Sequence, residues 1–228
     1  MARFTIEGIT LEVPDALLTK RIASKLSSGT YESDERRAAL MRLRPGERVL
    51  ELGAGLGFVA ASCAGVTGAE NVIAVEANPD LIPVLRDTLA RNGHAGAEIV
   101  HGAISDADNA GAADVSFDAS GAFWAGHIAT GEEASDPAVI QVPRLSLTTL
   151  FERYEPALVV MDIEGAEAHL FDAPWPGYVR LVVMELHPKR YPDRIIQRIV
   201  DTLSASGLTY DPGPSIGRIL CFRRLRGD

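Results

Sequence analysis

The stretch that decides the fold is Arg48-Val-Leu-Glu-Leu-Gly-Ala-Gly-Leu-Gly57. It begins as a short apolar run, which is typical of a parallel strand covered on both faces. Gly53, Gly55 and Gly57 then permit a tight turn and a close approach of the backbone to a ligand. The small apolar residues that follow predict a helix. A glycine-rich turn between a strand and a helix is weak evidence on its own, so the rest of the chain must decide what it binds.

The composition is that of an ordinary folded protein, with 46% hydrophobic and 23% charged residues in a chain of 228. This length predicts one large domain whose core needs no metal or disulfide support. The formal net charge is -9 and no basic run occurs, which argues against binding of long nucleic acid. Cys63 and Cys221 lie in apolar runs and are predicted to be buried free thiols. Because no apolar segment resembles a signal peptide or reaches membrane length, we expect a cytoplasmic protein without membrane contact.

Strand and helix patterns alternate along residues 46–228, which we expect to form the main domain. Short apolar runs predict buried strands at 72–76, 98–101, 157–162 and 180–185, in addition to the strand of the opening stretch. Two further runs at 208–210 and 218–222 predict an antiparallel pair at the C-terminal edge. Helices are predicted at 146–154 and 192–204. The sequence therefore predicts a doubly wound α/β sheet of seven strands, mostly parallel.

Two segments do not fit this alternation. Residues 1–45 predict a hairpin over 3–13, a helix opening at Pro14 and a second helix from Ser33 to about Leu43. We expect this segment to pack on the main domain as an appendage or lid. Residues 107–140 are rich in Ala, Gly, Asp and Ser and predict a long excursion with short strands at 115–117 and at Phe123-Trp124.

Acidic residues stand at or just past the carboxyl ends of the predicted strands. These acids are Glu51, Glu76, Asp106, Asp162 and Glu185. Ligands of doubly wound sheets bind beyond this edge, at the point where the winding direction reverses. The aligned acids therefore predict a polar site at one edge of the sheet.

A glycine loop with an acid after the second strand fits two nucleotide-like cofactors. In the dinucleotide fingerprint G-x-G-x-x-G, the third glycine packs the helix against the strand. Phe58 stands at that position here, so an NAD-dependent oxidoreductase of the Rossmann type is the weaker alternative. The spacing Gly53-x-Gly55-x-Gly57, preceded by an acid, instead resembles motif I of the class I S-adenosylmethionine-dependent methyltransferases.

The resemblance to motif I implies where S-adenosylmethionine contacts the chain. Glu51 is expected near the methionine amino group, the loop near the carboxylate, and Glu76 at the ribose hydroxyls. Asp106 is expected to accept from the adenine amino group. The remaining cofactor-binding candidates are Gly53, Ala54, Gly55, Gly57, Ala77, Asn78, Ala103, Ile104 and Asp162.

A narrower resemblance lies further along the chain. Met161-Asp-Ile-Glu-Gly-Ala-Glu167, followed by Glu185-Leu-His187-Pro, resembles the FkbM family of methyltransferases. Gly29-Thr-Tyr-Glu32 and Ala103-Ile-Ser-Asp106 match the family pattern too, so the resemblance spans roughly residues 29–190. Two positions depart from it. Gly55 stands where the family commonly has asparagine, and Met161 stands where a lysine commonly precedes the aspartate.

The FkbM resemblance implies methyl transfer to an oxygen, such as a hydroxyl of a sugar or of a secondary metabolite in natural product biosynthesis. The chain must then orient the reactants and accept the hydroxyl proton. Asp162, Glu164 and His187 are the candidate catalytic residues. Tyr31 and Glu32 are expected to contact the cofactor from a lid.

Several alternatives stay open at this point. Asp162, Glu164 and His187 could hold a divalent ion such as Mg²⁺, which we rank below direct acid–base chemistry. Each also has a structural interpretation: Asp162 as a turn cap, Glu164 and Glu167 as acids favoured by a helix dipole, His187 as a loop residue. A non-catalytic cofactor-binding partner in a biosynthetic complex is a further alternative. Residues 1–45 and 107–140 are expected to select the acceptor, and a homodimer is one option for the oligomeric state.

Overall fold

A computed structural model of the protein describes residues 1–106, 113–121 and 125–225. In chain order its strands are β1 (Ala2–Ile6), β2 (Ile9–Val13), β3 (Val49–Leu52), β4 (Val72–Glu76), β5 (Glu98–His101), β6 (Ala103–Ile104), β7 (Asp114–Asp118), β8 (His127–Ile128), β9 (Val139–Leu145), β10 (Leu158–Met161), β11 (Leu181–Glu185), β12 (Leu208–Tyr210) and β13 (Ile219–Arg224). The α-helices are α1 (Lys20–Ser28), α2 (Ser33–Leu40), α3 (Phe58–Thr67), α4 (Leu81–Arg91), α5 (Leu147–Tyr154) and α6 (Asp193–Ala205). The predicted strand at Phe123-Trp124 lies outside the described residues.

The central sheet has seven strands in the order β12-β13-β11-β10-β3-β4-β5. β13 runs antiparallel to both of its neighbours, and the other pairings are parallel. The chain winds from β3 outward through β4 and β5, and later from β10 outward in the opposite direction. This arrangement confirms the predicted mostly parallel α/β sheet with its antiparallel edge, and it places the reversal of winding between β3 and β10.

Alternation along the strands divides the core into two layers. Val49 packs on the face covered by α3 and α4, whereas Leu50 and Leu52 pack on the face covered by α5 and α6. Successive side chains of a strand point to opposite faces, so Glu51 shares the face of Val49. The acid of the opening stretch is therefore carried into the layer beside the N-terminus of α3.

The N-terminal residues share the first of these layers. Ile6, Leu11 and Leu26 belong to the same buried cluster as the apolar residues of α3 and α4. Asn92 at the end of α4 ties the hairpin down, because its side chain accepts from the Thr10 amide at 2.9 Å and donates to the Thr10 carbonyl at 2.9 Å. The division of the chain at residue 45 stays a prediction.

The predicted helix opening at Pro14 was wrong. Only a single 3-10 turn, Asp15–Leu17, forms there, and α1 begins at Lys20. The Thr19 hydroxyl accepts from the Ile22 amide at 3.3 Å and so caps the helix five residues later than predicted.

The excursion after β6 is more regular than expected. β7, β8 and β9 form a small antiparallel sheet, and β9 also pairs in parallel with β6. Phe117 and Val142 form a small apolar core with Ala103. Across the described ranges, no helix is long and apolar enough to cross a membrane.

Candidate functional site

The glycine loop lies where the winding of the sheet reverses. Gly53 and Ala54 both donate their amides to the Val75 carbonyl at 2.9 Å, which fixes the loop beside the end of β4. The φ of Gly53 is +85°, and a Cβ there would lie 1.9 Å from the carbonyl oxygen of Asp162. A Cβ on Gly57 would lie 2.6 Å from a methyl carbon of Leu85. Only glycine fits these two positions without moving the backbone or the core.

A cavity of about 670 Å³, including its open mouth, lies against the loop. It is bounded by the glycine loop, the end of β4, the small sheet and the segment that follows β10. Its lining consists of Tyr31, Glu32, Gly53, Gly55, Val75, Glu76, Ala77, Leu81, Gly102, Ala103, Ile104, Phe117, Gly126, Ile128, Asp162, Ile163, Glu164 and Ala166. The lining combines apolar walls with a few convergent acids, which is typical of a small-molecule site.

Glu51 lies in the wall beneath the loop and is 3% exposed. Its Oε2 is buried and has no hydrogen-bond partner among the described residues. Burial, together with the negative charges of Glu76 and Asp162, raises the pKa of Glu51 well above its ordinary value. A buried carboxylate oxygen without a partner fits a ligand that brings a positive charge or an N–H donor.

Glu76 ends β4 and faces the same cavity. Its Oε2 accepts from the Gly55 amide at 2.8 Å, and its Oε1 accepts from the Asn78 amide at 2.7 Å. Burial raises the pKa of Glu76, although these backbone hydrogen bonds oppose the rise. Both oxygens are thereby held in one orientation and keep further lone pairs for hydroxyl donors.

Tyr31 and Glu32 lie over Gly55. A Cβ on Gly55 would lie 3.1 Å from the Tyr31 hydroxyl and 3.3 Å from Glu32 Oε1. Glu32 takes a left-handed backbone conformation with φ +46°, which is costly for a residue other than glycine. Burial raises the pKa of Tyr31 and of Glu32. This packing leaves little room for the asparagine that the FkbM pattern commonly has at position 55.

A second, more polar cleft of about 1430 Å³ adjoins the cavity. Asp162 and Glu164 line both spaces, as do Tyr31 and Glu32. The cleft adds Glu185, His187 and cationic side chains, among them Arg21, Lys25, Lys189, Arg190 and Arg218. We call the shared wall at Asp162 and Glu164 the junction.

His187 stands behind the junction with its side chain only 6% exposed. Its Nδ1 lies 3.0 Å from Glu167 Oε1, and its Nε2 lies 3.4 Å from Asp162 Oδ1 and 3.5 Å from Glu164 Oε2. Burial opposes the charged ring, but the hydrogen bond to Glu167 and the surrounding negative charges outweigh it and raise the pKa of His187 to about 9. Burial and the charge of Glu185 likewise raise the pKa of Asp162 well above its ordinary range.

Glu167 orients this histidine and was not among the predicted site residues. It is fully buried, and besides His187 it binds the Gly165 amide at 2.8 Å and the Ile163 amide at 3.3 Å. The sequence signal was its place as the last acid of the Asp162-to-Glu167 run, which a helix-dipole role explained equally well.

A model of the FkbM methyltransferase domain matches residues 51–207. The chain belongs to the FkbM methyltransferase family. This confirms the resemblance and decides between the two cofactor interpretations in favour of S-adenosylmethionine. No curated protein matches the chain.

Two solved structures are similar to the FkbM protein. TYW2 of M. jannaschii, in complex with AdoMet, is 14% identical, with 98% of this chain and 86% of that chain covered and a TM-score of 0.50. A precorrin-6y C5,15-methyltransferase from Geobacter metallireducens GS-15 is 13% identical, with 93% and 91% covered and a TM-score of 0.46. At such identities the likeness to TYW2 supports the class I methyltransferase fold and nothing finer.

The FkbM cavity gathers most of the predicted cofactor residues. Those that line it are Tyr31, Glu32, Gly53, Gly55, Glu76, Ala77, Ala103, Ile104 and Asp162. Glu51, Ala54, Gly57 and Asn78 stand in the wall behind. Asp106 lies apart: it is exposed and lines a different cleft with Leu147 and Phe151. The small sheet supplies lining residues that the sequence did not predict, namely Phe117, Gly126 and Ile128.

The residues of this cavity fit S-adenosylmethionine. The unpartnered oxygen of Glu51 would hold the methionine ammonium, the glycine loop would face the carboxylate, and Glu76 would hold the ribose. The apolar side chains of Ile104, Phe117 and Ile128 offer a wall for a planar base.

Proposed function

We propose that this FkbM protein is an S-adenosylmethionine-dependent O-methyltransferase that methylates a hydroxyl of a small molecule. The observation that carries the proposal is the junction, since Asp162 and Glu164 line both the cofactor cavity and the polar cleft. An acceptor in the cleft would meet the cofactor at this wall.

S-adenosylmethionine supplies a methyl group that its sulfonium has already activated. The chain then has to hold the acceptor oxygen in line and take up the hydroxyl proton. Asp162, Glu164 and His187 are the groups at the junction for that second task, and Glu167 keeps the His187 ring in place.

The lining of the cleft favours a polar, hydroxylated acceptor such as a sugar or a secondary metabolite. Both acidic and basic side chains line the cleft, and apolar side chains are few. The formal net charge of -9 disfavours long nucleic acid as the acceptor.

Calorimetry with S-adenosylhomocysteine and with NAD tests the cofactor. We expect binding of the first and none of the second; tight binding of NAD alone would overturn the proposal. Transfer of labelled methyl groups to a panel of sugars and hydroxylated metabolites tests the reaction. Binding of S-adenosylhomocysteine with no methylation of any acceptor would favour the non-catalytic partner instead.

Substitution separates binding from turnover. Asp162→Asn and His187→Gln should each lower the methylation rate about 100-fold or more, the scale of a lost acid–base group, while S-adenosylhomocysteine binding persists. Glu152→Gln, at an exposed position of α5, is the matched control and should leave the rate unchanged. Normal methylation by both junction variants would contradict the assignment.

A further inference from the structure

We propose that Asp162, Glu185 and His187 form a binding site for one divalent cation of the Mg²⁺ or Mn²⁺ class, on the acceptor side of the junction. One carboxylate oxygen from each acid and a ring nitrogen of His187 lie within 4.8 Å of one another. In an octahedral site of this class, neighbouring ligand atoms are about 3 Å apart and opposite ones about 4.3 Å apart. The three groups therefore need only small shifts to close on one ion.

Among the described residues, one buried polar atom of this cluster lacks a hydrogen bond. Asp162 Oδ1 is buried and bonds to none of the described residues. It faces His187 Nε2 at 3.4 Å, a distance of ion contact. Because buried polar groups are nearly always satisfied, the unpartnered Oδ1 of Asp162 indicates a missing ligand beside His187.

The orientation of His187 matches that of a metal ligand. Its Nδ1 is bound to Glu167 at 3.0 Å, and Glu167 is itself fixed by the Gly165 amide at 2.8 Å. A carboxylate on the far ring nitrogen is the usual outer-shell partner of a ligating histidine, since it fixes the ring and directs the other nitrogen. Here the other nitrogen, Nε2, points to Asp162 and Glu164.

A second acid–histidine group, made of Asp118, His127 and Glu133, meets the same distance condition. Both ring nitrogens of His127 already have partners, the Ala125 carbonyl at 3.2 Å and Glu133 Oε1 at 2.8 Å. Glu133 is exposed. Within the described residues, this group therefore has no unpartnered buried atom like Asp162 Oδ1 and provides a control.

The role of the cation rests on the proposed function, whereas its binding does not. A cation at the junction would lower the pKa of an acceptor hydroxyl bound to it. As the methyl carbon's bond to sulfur breaks and its bond to the acceptor oxygen forms, the hydroxyl proton would pass to Glu164. Glu164 is the junction carboxylate that the ion does not need as a ligand.

Titration with Mn²⁺ after removal of bound metal by a chelator tests the site. Electron paramagnetic resonance should show one bound Mn²⁺ per chain, with magnetic coupling to a single nitrogen. Asp162→Asn and Glu185→Gln should weaken binding tenfold or more, and His187→Gln should abolish the nitrogen coupling. Glu133→Gln should bind as the wild type does. The circular dichroism spectrum of each variant shows that it is folded.

Absence of Mn²⁺ binding at about 1 mM, the weak limit for such sites, would overturn the proposal. Nitrogen coupling that persists in His187→Gln would overturn it too. If methyl transfer also survives exhaustive chelation, the proposed function stands without the cation, so the two proposals fail separately.

Discussion

The carbonyl oxygen of Asp162 lies 1.9 Å from the position that a Cβ on Gly53 would take. The cofactor loop after β3 and the junction segment after β10 are therefore in backbone contact at the reversal of the sheet. Gly53 donates its amide to Val75 on the other side, and Asp162 donates its amide to Leu52 at 3.0 Å. The two halves of the site are thus held as one unit.

Gly53→Ala should destabilise the protein by about 3 kcal/mol or more. A non-glycine residue in the left-handed conformation costs about 1–2 kcal/mol. The added Cβ also clashes with the Asp162 carbonyl, a backbone group that cannot rotate away as a side chain could. Chemical denaturation measures the loss, and S-adenosylhomocysteine affinity should fall with it.

Gly8→Ala is the matched control for that substitution. Gly8 has a φ of +83°, close to that of Gly53, but nothing lies within 4 Å of its added Cβ. The Gly8→Ala protein should therefore lose only about 1–2 kcal/mol of unfolding free energy, the cost of the left-handed backbone conformation. Equal losses in the two variants would show that contact with Asp162 is unimportant.

Glu51→Gln should lower the affinity for S-adenosylmethionine about tenfold or more without loss of stability. Glu51 Oε2 is buried and unpartnered among the described residues, and burial disfavours the charged form of this carboxyl, so an uncharged amide of the same shape should be tolerated. Calorimetry and thermal unfolding measure the two effects. Glu70→Gln, at an exposed site after α3, should change neither. Unchanged affinity in Glu51→Gln would exclude Glu51 as the ammonium partner.

The central sheet could be predicted because its signals are local. Each of its strands, such as Val72–Glu76, is a short apolar run between turn residues, and buried parallel strands are recognised by that pattern alone. The positions of Glu51 and Glu76 followed from the strands, since a residue at a strand's carboxyl end inherits the geometry of the sheet.

The parts of the fold and site that could not be predicted depend on contacts between residues far apart in sequence. β9 was not predicted, because Pro143 and Arg144 interrupt its apolar pattern and its stability comes from pairing with β7. The motif I resemblance predicts Asp106 at the adenine, yet the chain turns after Ile104, where the Ser105 amide bonds to the Leu145 carbonyl at 2.9 Å. Such pairings leave no periodic trace in one sequence.

The wild-type protein should lose stability in acid more steeply than the Asp211→Asn variant does. Burial alone would raise the pKa of Asp211, but hydrogen bonds and the charge of Arg42 hold it below the ordinary 3.8. A carboxyl with a depressed folded-state pKa contributes stability above its unfolded pKa, and this stability is lost as pH falls through the folded value. Denaturation measured from about pH 6 to pH 2 should give a flatter curve for Asp211→Asn than for the wild type. Asp87→Asn, at an exposed position of α4, should keep the wild-type slope, and parallel curves for all three proteins would contradict the assignment.

Glu167 should be the acid whose loss costs most stability. Its carboxylate serves the Gly165 amide, the Ile163 amide and the His187 ring, all in a site without water access to the side chain. Glu167→Ala leaves these donors unsatisfied and should cost about 3–5 kcal/mol of unfolding free energy, whereas Glu167→Gln keeps one acceptor oxygen and should cost about 1–2 kcal/mol.

A double-mutant cycle with His187→Ala separates the ring contact from the two backbone contacts. Because Glu167 and His187 are directly bonded, their combined loss should be smaller than the sum of the single losses by about 1–3 kcal/mol. Denaturant unfolding of the four proteins in chelator measures this coupling, and Glu152→Ala, on the exposed side of α5, should stay within about 0.5 kcal/mol of the wild type. Strictly additive losses would mean that Glu167 supports the turn at Gly165 and does not position His187.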